Sequence, residues 1–237
     1  MDIRLSFLSL TLGATLVAPS IATACDIALV LAVDVSGSVD SYEYDLQAQG
    51  IASAIRDPDV QEAMVRGQVA LAVLQWSGAL EQSLSIPWTR VSEPAEAMAL
   101  AHRVSRMPRG HVGGNTAVGE AVQVAAALFE QVADCRHWVI DVSGDGNENE
   151  GFNIGEERAN AWRQGIAING LAIEGAASGL SVTNFYRRHV VTPGSFVITA
   201  SNHDDFARAM QEKMLRELIP PMAQAPGRQA VRLAALP

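Results

Sequence analysis

The chain has 237 residues, enough for one well-buried domain, and its 49% hydrophobic and 18% charged residues are typical of a globular protein. A formal net charge of -9 at pH 7 argues against a nucleic-acid partner, because binding to phosphates needs clustered Lys and Arg. The sequence also has no basic run of the kind that binds an anionic membrane surface.

The N-terminal residues have the pattern of a secretory signal peptide. Arg4 supplies a positive charge, an almost wholly apolar run covers residues 5–17, and residues 22–24 (Ala-Thr-Ala) offer a small-residue cleavage site. The apolar run is shorter than a membrane-spanning helix requires. We therefore expect residues 1–24 to be removed, the mature chain not to insert stably into a membrane, and its location to be periplasmic or secreted.

The sequence has two cysteines, Cys25 and Cys135. In an oxidising compartment, two cysteines more often form a disulfide than stay reduced. Two alternatives remain open from the residues alone. Cys25 would be the first residue after cleavage and a candidate for lipid attachment, and both thiols could also stay unpaired.

Short apolar runs alternate with helical patterns over residues 26–218. This alternation predicts an α/β domain whose mostly parallel sheet is covered by helices on both faces. We expect Ser92 to cap one helix, and Asn202 with Asp205 to cap the last. The predicted strands are 27–33, 69–76, 84–88, 137–142, 166–173 and 196–199. The predicted helices are 39–55, 92–106, 118–129, 156–164 and 202–218, and residues 220–237 are predicted to be a flexible tail.

Oxygen-bearing side chains follow the first predicted strand. The segment Asp34-Val35-Ser36-Gly37-Ser38 offers one carboxylate and two hydroxyls, which suit Mg²⁺, Mn²⁺ or Ca²⁺ better than Zn²⁺. Taken alone, the segment could equally be a loop that leads into a helix cap. The metal interpretation therefore depends on other segments that reach the same edge of the sheet.

Two further segments supply such oxygens. Residues 111–117 (HVGGNTA) place Thr116 after a pair of glycines, and residues 143–146 (SGDG) place Asp145 after the fourth predicted strand. Ligands of parallel sheets bind beyond the carboxyl ends of the strands. Together with the first segment, these residues would bring two carboxylates and three hydroxyls to one site.

The three segments, in this order, resemble the metal-ion-dependent adhesion site of the von Willebrand factor type A domain. The resemblance covers nearly the whole mature chain, residues 25–219, and is strongest to an exported bacterial branch of unknown function. It implies a doubly wound, six-stranded sheet with strand order 3-2-1-4-5-6. It also implies that one divalent cation is bound by Asp34, Ser36, Ser38, Thr116 and Asp145.

The resemblance implies an adhesion-type binding protein and not an enzyme. An acidic group of a protein partner would complete the coordination of the cation. We expect Mg²⁺, with Mn²⁺ and Ca²⁺ as alternatives, because the ligand set is rich in hydroxyls and poor in carboxylates. The alternative functions are an exported structural domain with a vestigial site and, less favoured, a metal-dependent hydrolase.

One position departs from the family pattern. The family usually has Thr or Ser directly before the aspartate of the third segment, whereas Gly144 precedes Asp145 here. Asp141 is a rival ligand, because residues 141–144 repeat the letters of residues 34–37. We favour Asp145, because an Asp-Gly turn leaves the sheet where a ligand must lie, and we expect Asp141 in mid-strand with a hydrogen-bonding neighbour.

The strand order implied by the resemblance also bears on the cysteines. Cys25 lies nine residues before Asp34 and Cys135 ten before Asp145, at the start of neighbouring parallel strands. A bridge between them is then feasible, because adjacent strands are about 4.8 Å apart. If Asp141 were the ligand, the cysteines would be staggered by three residues and too far apart.

Other chemistries fit the sequence less well. A calcium loop starting at Asp145 would want glycine at its sixth position, where Glu150 stands. A phosphoryl-accepting Asp34 would want a second carboxylate at the position of Ser36, and no serine has the surroundings of a hydrolase nucleophile. We expect His111, beside the second segment, to be hydrogen-bonded or solvated and not a metal ligand.

Overall fold

The computed structural model describes residues 25–175 and 181–219. The predicted signal peptide, residues 1–24, and the predicted tail, residues 220–237, lie outside the described residues. Within the described ranges, no helix combines the length and the apolar character needed to cross a membrane.

A six-stranded sheet forms the centre of the domain, with the strand order β3-β2-β1-β4-β5-β6. Only the β2–β3 pair is antiparallel. The predicted fold class and strand order are therefore confirmed. The strands are β1 (Ile27–Asp34), β2 (Ala70–Trp76), β3 (Gln82–Arg90), β4 (His137–Gly144), β5 (Ile166–Ile173) and β6 (Val197–Ala200).

Helices cover both faces of the sheet and produce two hydrophobic cores. Strands β1, β2 and β5 are buried along their whole length, which explains their nearly continuous apolar sequences. On one face pack α1 (Ser41–Arg56), α2 (Pro58–Arg66), α3 (Pro94–Val104) and α7 (Phe206–Leu218). On the other face pack α4 (Val118–Leu128), α5 (Ile154–Arg163), α6 (Val182–Phe185) and a π-helical turn (Tyr186–Val190).

The helices differ from the sequence prediction at several places, and α6 with the π-helical turn was not predicted. Helix α2 was not predicted, although Asp57 caps it and Pro58 occupies its first turn, a common helix start. Ser92 does not cap α3. The helix begins after Glu93, and Ser92 instead donates its backbone N–H and its hydroxyl to the carboxylate of Glu96. Asn202 caps a short 3₁₀ turn by accepting the Asp205 N–H, and α7 follows that turn.

A disulfide joins Cys25 to Cys135, with 4.4 Å between their Cα atoms, and this prediction is confirmed. In the β1–β4 register, Ile27 pairs with His137, so the two cysteines are level at the start of the strands. The same register places Asp34 level with Gly144, at the opposite edge of the sheet. The bridge therefore holds the two strands that carry the candidate metal ligands in a fixed alignment.

Candidate metal centre

The first loop of the candidate site begins where β1 ends. Asp34 is fully buried, and its Oδ1 accepts the backbone N–H of Ser36 at 2.8 Å. The hydroxyls of Ser36 and Ser38 lie 3.2 Å apart. Helix α1 starts soon after, capped by Asp40. The loop is thus held at both ends, and three oxygen-bearing side chains lie close together in it.

The third loop, residues 145–153 between β4 and α5, meets the first directly. The Ser38 hydroxyl donates to Asp145 Oδ1 at 2.6 Å, although the two residues are 107 positions apart in the chain. This contact follows from the parallel pairing of β1 and β4, since the two loops leave neighbouring strands at the same edge. Asp34, Ser36, Ser38 and Asp145 therefore lie in one group.

Thr116 belongs to the second loop, residues 111–117, which lies next to these two loops. Its N–H donates to Asn149 of the third loop at 2.8 Å, and the Gly37 N–H donates to the Gly114 carbonyl at 3.1 Å. A methyl group added to Gly146 would lie 3.5 Å from Thr116 Oγ1. Gly114 has a φ of +91°, which side-chain-bearing residues rarely adopt. The structure thus brings the second loop against both other loops.

The electrostatics of Asp34 fit a cation. Its Oδ2 is buried without a hydrogen-bond partner. Burial, and secondly the charge of Asp145, raise the pKa of Asp34 to about 7. A buried carboxylate beside a second carboxylate is unfavourable unless a positive charge offsets it. The residues present, two carboxylates and three hydroxyls, are the oxygen ligands that hard divalent cations prefer.

Tyr186 is a neighbour of Asp34 that the sequence did not reveal. It is fully buried, its hydroxyl has no hydrogen-bond partner, and it comes from the π-helical turn. A methyl group added to Gly144 would lie 2.6 Å from Asp34 Oδ2 and 2.7 Å from the Tyr186 hydroxyl. The departure at Gly144 therefore coincides with a tyrosine hydroxyl in the space that a side chain there would need.

Glu43 and His203 were also missed. Their side chains form an ion pair, with 3.0 Å between His203 Nδ1 and Glu43 Oε1. Ligand atoms of these two residues and of Asp145 all lie within 4.8 Å of one another, so they offer further donors beside the first loop. In the sequence, Glu43 has only the signature of a capping box, and His203 has none.

The rival ligand Asp141 lies in the middle of β4, where it pairs with Leu31 and Asn169 on the neighbouring strands. It is buried, and its Oδ1 is 2.8 Å from Lys213 Nζ on α7. Helix α7 covers the face of the sheet opposite α4. Asp141 therefore contacts a helix, whereas Asp145 contacts the first loop through Ser38.

The remaining polar residues around the loops have structural partners. Glu148 accepts the Gly119 N–H at 3.0 Å, and Glu150 accepts the Ala79 N–H at 2.9 Å, so these carboxylates do not converge as in a calcium loop. His111 Nε2 lies 2.8 Å from the Ser83 hydroxyl, in agreement with a hydrogen-bonded histidine. Arg109 donates to the Val35 carbonyl and braces the first loop.

A family model described as "Protein of unknown function (DUF1194)" matches residues 24–222 of the chain. The chain belongs to this family. The match covers the whole described domain, including all five candidate ligands and both cysteines. No curated protein matches the chain.

Solved structures share the fold, which is that of von Willebrand factor type A domains. One is proximal thread matrix protein 1 from the mussel byssus with a zinc-occupied MIDAS motif (TM-score 0.60, 14% identity, 83% of this chain and 46% of that chain). Another is von Willebrand factor type A from Catenulispora acidiphila (TM-score 0.59, 15% identity, 81% of this chain and 43% of that chain). A third is BatB from Bacteroides thetaiotaomicron (TM-score 0.54, 14% identity, 81% of this chain and 98% of that chain). The chain spans less than half the length of the first two.

Proposed function

We propose that the chain is an exported, metal-dependent protein-binding module of the adhesion type. Its cation would be held by Asp34, Ser36, Ser38, Thr116 and Asp145. The observation that carries the proposal is the meeting of three oxygen-bearing loops around a buried carboxylate whose Oδ2 lacks a partner. The mussel protein with a zinc-occupied MIDAS (metal-ion-dependent adhesion site) motif supports it, because that protein shares the fold.

The ligand set favours Mg²⁺. Three hydroxyls and two carboxylates give a small, oxygen-only set, and Mg²⁺ usually keeps several waters beside one or two carboxylates. A bound cation would supply Lewis-acid attraction for an acidic group of a protein partner. The chain itself holds the hydroxyls of Ser36 and Ser38 just after the end of β1. Buried Asp34 fixes this loop by accepting the Ser36 N–H.

Binding suits the surroundings better than catalysis does. Burial, and secondly the charge of Asp34, hold the pKa of Tyr186 well above its ordinary value, so its hydroxyl stays protonated and is a poor base. His111 is bonded to Ser83. A hydrolase needs a general base within reach of the reacting water, and neither of these groups is positioned for that role.

Exposed apolar side chains occur in the loops near the candidate centre. Leu80, Val112 and Phe152 are 97%, 87% and 76% exposed, and they lie in the β2–β3 turn, the second loop and the third loop. The third loop contacts the β2–β3 turn through the Glu150–Ala79 hydrogen bond and the second loop through the Thr116–Asn149 hydrogen bond. Exposed apolar groups that are surrounded by polar residues are typical of protein-binding surfaces.

Asp34→Asn tests the metal part of the proposal. In the presence of chelator, we expect the variant to be more stable than the natural chain by about 1–3 kcal/mol, because a buried, partly unpaired carboxylate becomes neutral. The rise in melting temperature that Mg²⁺ gives the natural chain should disappear. Thermal unfolding with and without Mg²⁺ measures both effects.

Asp45→Asn, on the exposed side of α1, is the matched control and should change neither the stability nor the response to Mg²⁺. An unchanged Mg²⁺ response in Asp34→Asn would contradict the proposal, and no response in the natural chain would favour a vestigial site.

A pull-down tests the binding part. The immobilised domain should retain proteins from a cell-envelope extract in Mg²⁺ and release them when chelator is added. The Asp34→Asn protein should retain none of them. Capture that is equal with and without chelator, or metal-dependent turnover of a phosphate or ester substrate that Asp34→Asn abolishes, would contradict a binding function.

A further inference from the structure

Lys213 is the only lysine in the sequence, and it is fully buried. It lies in the middle of α7, between Asp141 of β4 and Glu217 one helical turn further on. Lysine is seldom buried completely, because its charge and its flexible side chain are costly to remove from water. The position of this one lysine therefore calls for an account beyond ordinary packing.

The geometry around Lys213 is that of a nucleophile beside a carboxyl group. Nζ is 2.8 Å from Asp141 Oδ1, yet neither Asp141 oxygen accepts a hydrogen bond of normal geometry. Because a carboxyl carbon is bonded directly to its oxygens, Nζ is within about 4 Å of Asp141 Cγ, close to the separation of reacting atoms in a near-attack arrangement. Asp141 and Glu217 are each about 1% exposed, so water is largely excluded.

A third group is placed to move protons. Glu217 Oε1 accepts a hydrogen bond from Lys213 Nζ and a second one, at 3.0 Å, from the side-chain amide of Asn169. The Asn169 oxygen in turn accepts the Phe196 N–H, which fixes the amide. Burial raises the pKa of Glu217 to about 7, and it also raises the pKa of Asp141, in both cases against the opposing charge of Lys213. Glu217 can therefore hold and release a proton near neutral pH.

We propose that Lys213 and Asp141 join in an intramolecular isopeptide bond, with Glu217 as the proton-transferring group. The ammonium of Lys213 first gives a proton to the Asp141 carboxylate, which leaves a neutral amine and a carboxylic acid. Nζ then attacks Cγ, and the C–N bond forms. Glu217 takes a proton from the nitrogen and returns it to the departing hydroxyl of Asp141. The C–OH bond breaks, one water molecule leaves, and Glu217 ends in its starting state.

The bond would tie the centre of the sheet to the helix that covers it. Asp141 is in the strand that leads to Asp145, and Lys213 is in the last described helix. The Cys25–Cys135 bridge lies just before the start of β4, so the strand would be held covalently at two points. The bond needs neither a cation nor a partner, so its existence is independent of the proposed binding function.

Peptide mapping of the purified, exported chain with its disulfide intact decides the matter. We expect the intact mass to be lower than the calculated mass by one water molecule, and a linked peptide containing both Asp141 and Lys213. The location must be mapped, because the Asp145–Gly146 pair can lose the same mass by cyclising, a change that mild alkali reverses and an isopeptide bond resists. A folded natural chain in which Lys213 keeps a free ε-amine would overturn the proposal.

The single lysine makes the controls simple. After unfolding, an amine-reactive reagent should label the N-terminal amine alone in the natural chain, and one further amine in Glu217→Gln, which loses the proton-transferring group. Asp141→Asn should lose one ammonia instead of one water if the asparagine reacts in the same way. Full labelling of Lys213 in the natural chain, as in Glu217→Gln, would show that no bond forms. If Glu217→Gln does not fold, the mass and map of the natural chain still decide.

Discussion

Replacing Lys213 by methionine should lower the free energy of unfolding by about 3–5 kcal/mol, the usual cost of removing one partner of a buried ion pair. The substitution is made in the Glu217→Gln background, because that chain keeps the Lys213–Asp141 pair and is not expected to form the isopeptide bond. It keeps the bulk of the side chain but leaves Asp141 buried without a positive charge. Denaturant unfolding measures the change.

The matched control for Lys213→Met is Arg66→Met. Arg66 forms an exposed ion pair with Glu62 at 3.3 Å on α2, and its loss should cost less than about 0.5 kcal/mol. Adding Asp141→Asn to Lys213→Met should recover part of the lost stability, because the unpaired carboxylate is then neutral. A loss for Lys213→Met no greater than that for Arg66→Met would contradict the account of this cluster.

Removal of the disulfide is expected to be the next largest effect. The double variant Cys25→Ser, Cys135→Ser should lower the free energy of unfolding by about 2–4 kcal/mol, because the bridge closes a long loop of the unfolded chain. The two cysteines are 110 positions apart and buried in one of the two cores. Denaturant unfolding measures the change, and reduction of the natural chain should reproduce it.

The disulfide variant should keep its affinity for Mg²⁺ within a factor of about two. Cys25 and Cys135 are at the edge of the sheet opposite Asp34 and Asp145, and the β1–β4 hydrogen bonds keep the strand register without them. A loss of stability below about 1 kcal/mol, or a cation affinity that falls as steeply as in Asp34→Asn, would contradict this separation of roles.

The fold class was predictable because buried positions are occupied by apolar residues, whose spacing can be read in the sequence. Strands covered on both faces are continuous apolar runs, and the runs at 27–33 and 166–173 correspond closely to β1 and β5. Helix α2 was missed because nine residues give a weak periodic signal. The strand order came from the resemblance, since the runs themselves do not state which strands are neighbours.

The candidate site was predictable only where its residues lie in short motifs. The five expected ligands lie in three segments whose spacing can be read directly, and the structure brings those segments together. Tyr186, His203 and Lys213 could not be found in this way, because each acts on a residue far away in the chain. Their positions depend on how the π-helical turn, the β6–α7 loop and α7 pack, and no local pattern records that packing.

The central claim is that one divalent cation binds among the three loops. Anomalous diffraction from crystals soaked in Mn²⁺ tests it most directly, because the scattering locates the ion without any assumption about its ligands. The account predicts a peak among Asp34, Ser36, Ser38, Thr116 and Asp145, absent in crystals of Asp34→Asn. Mn²⁺ found only beside Glu43 and His203, or no peak among the loops at saturating Mn²⁺, would contradict it.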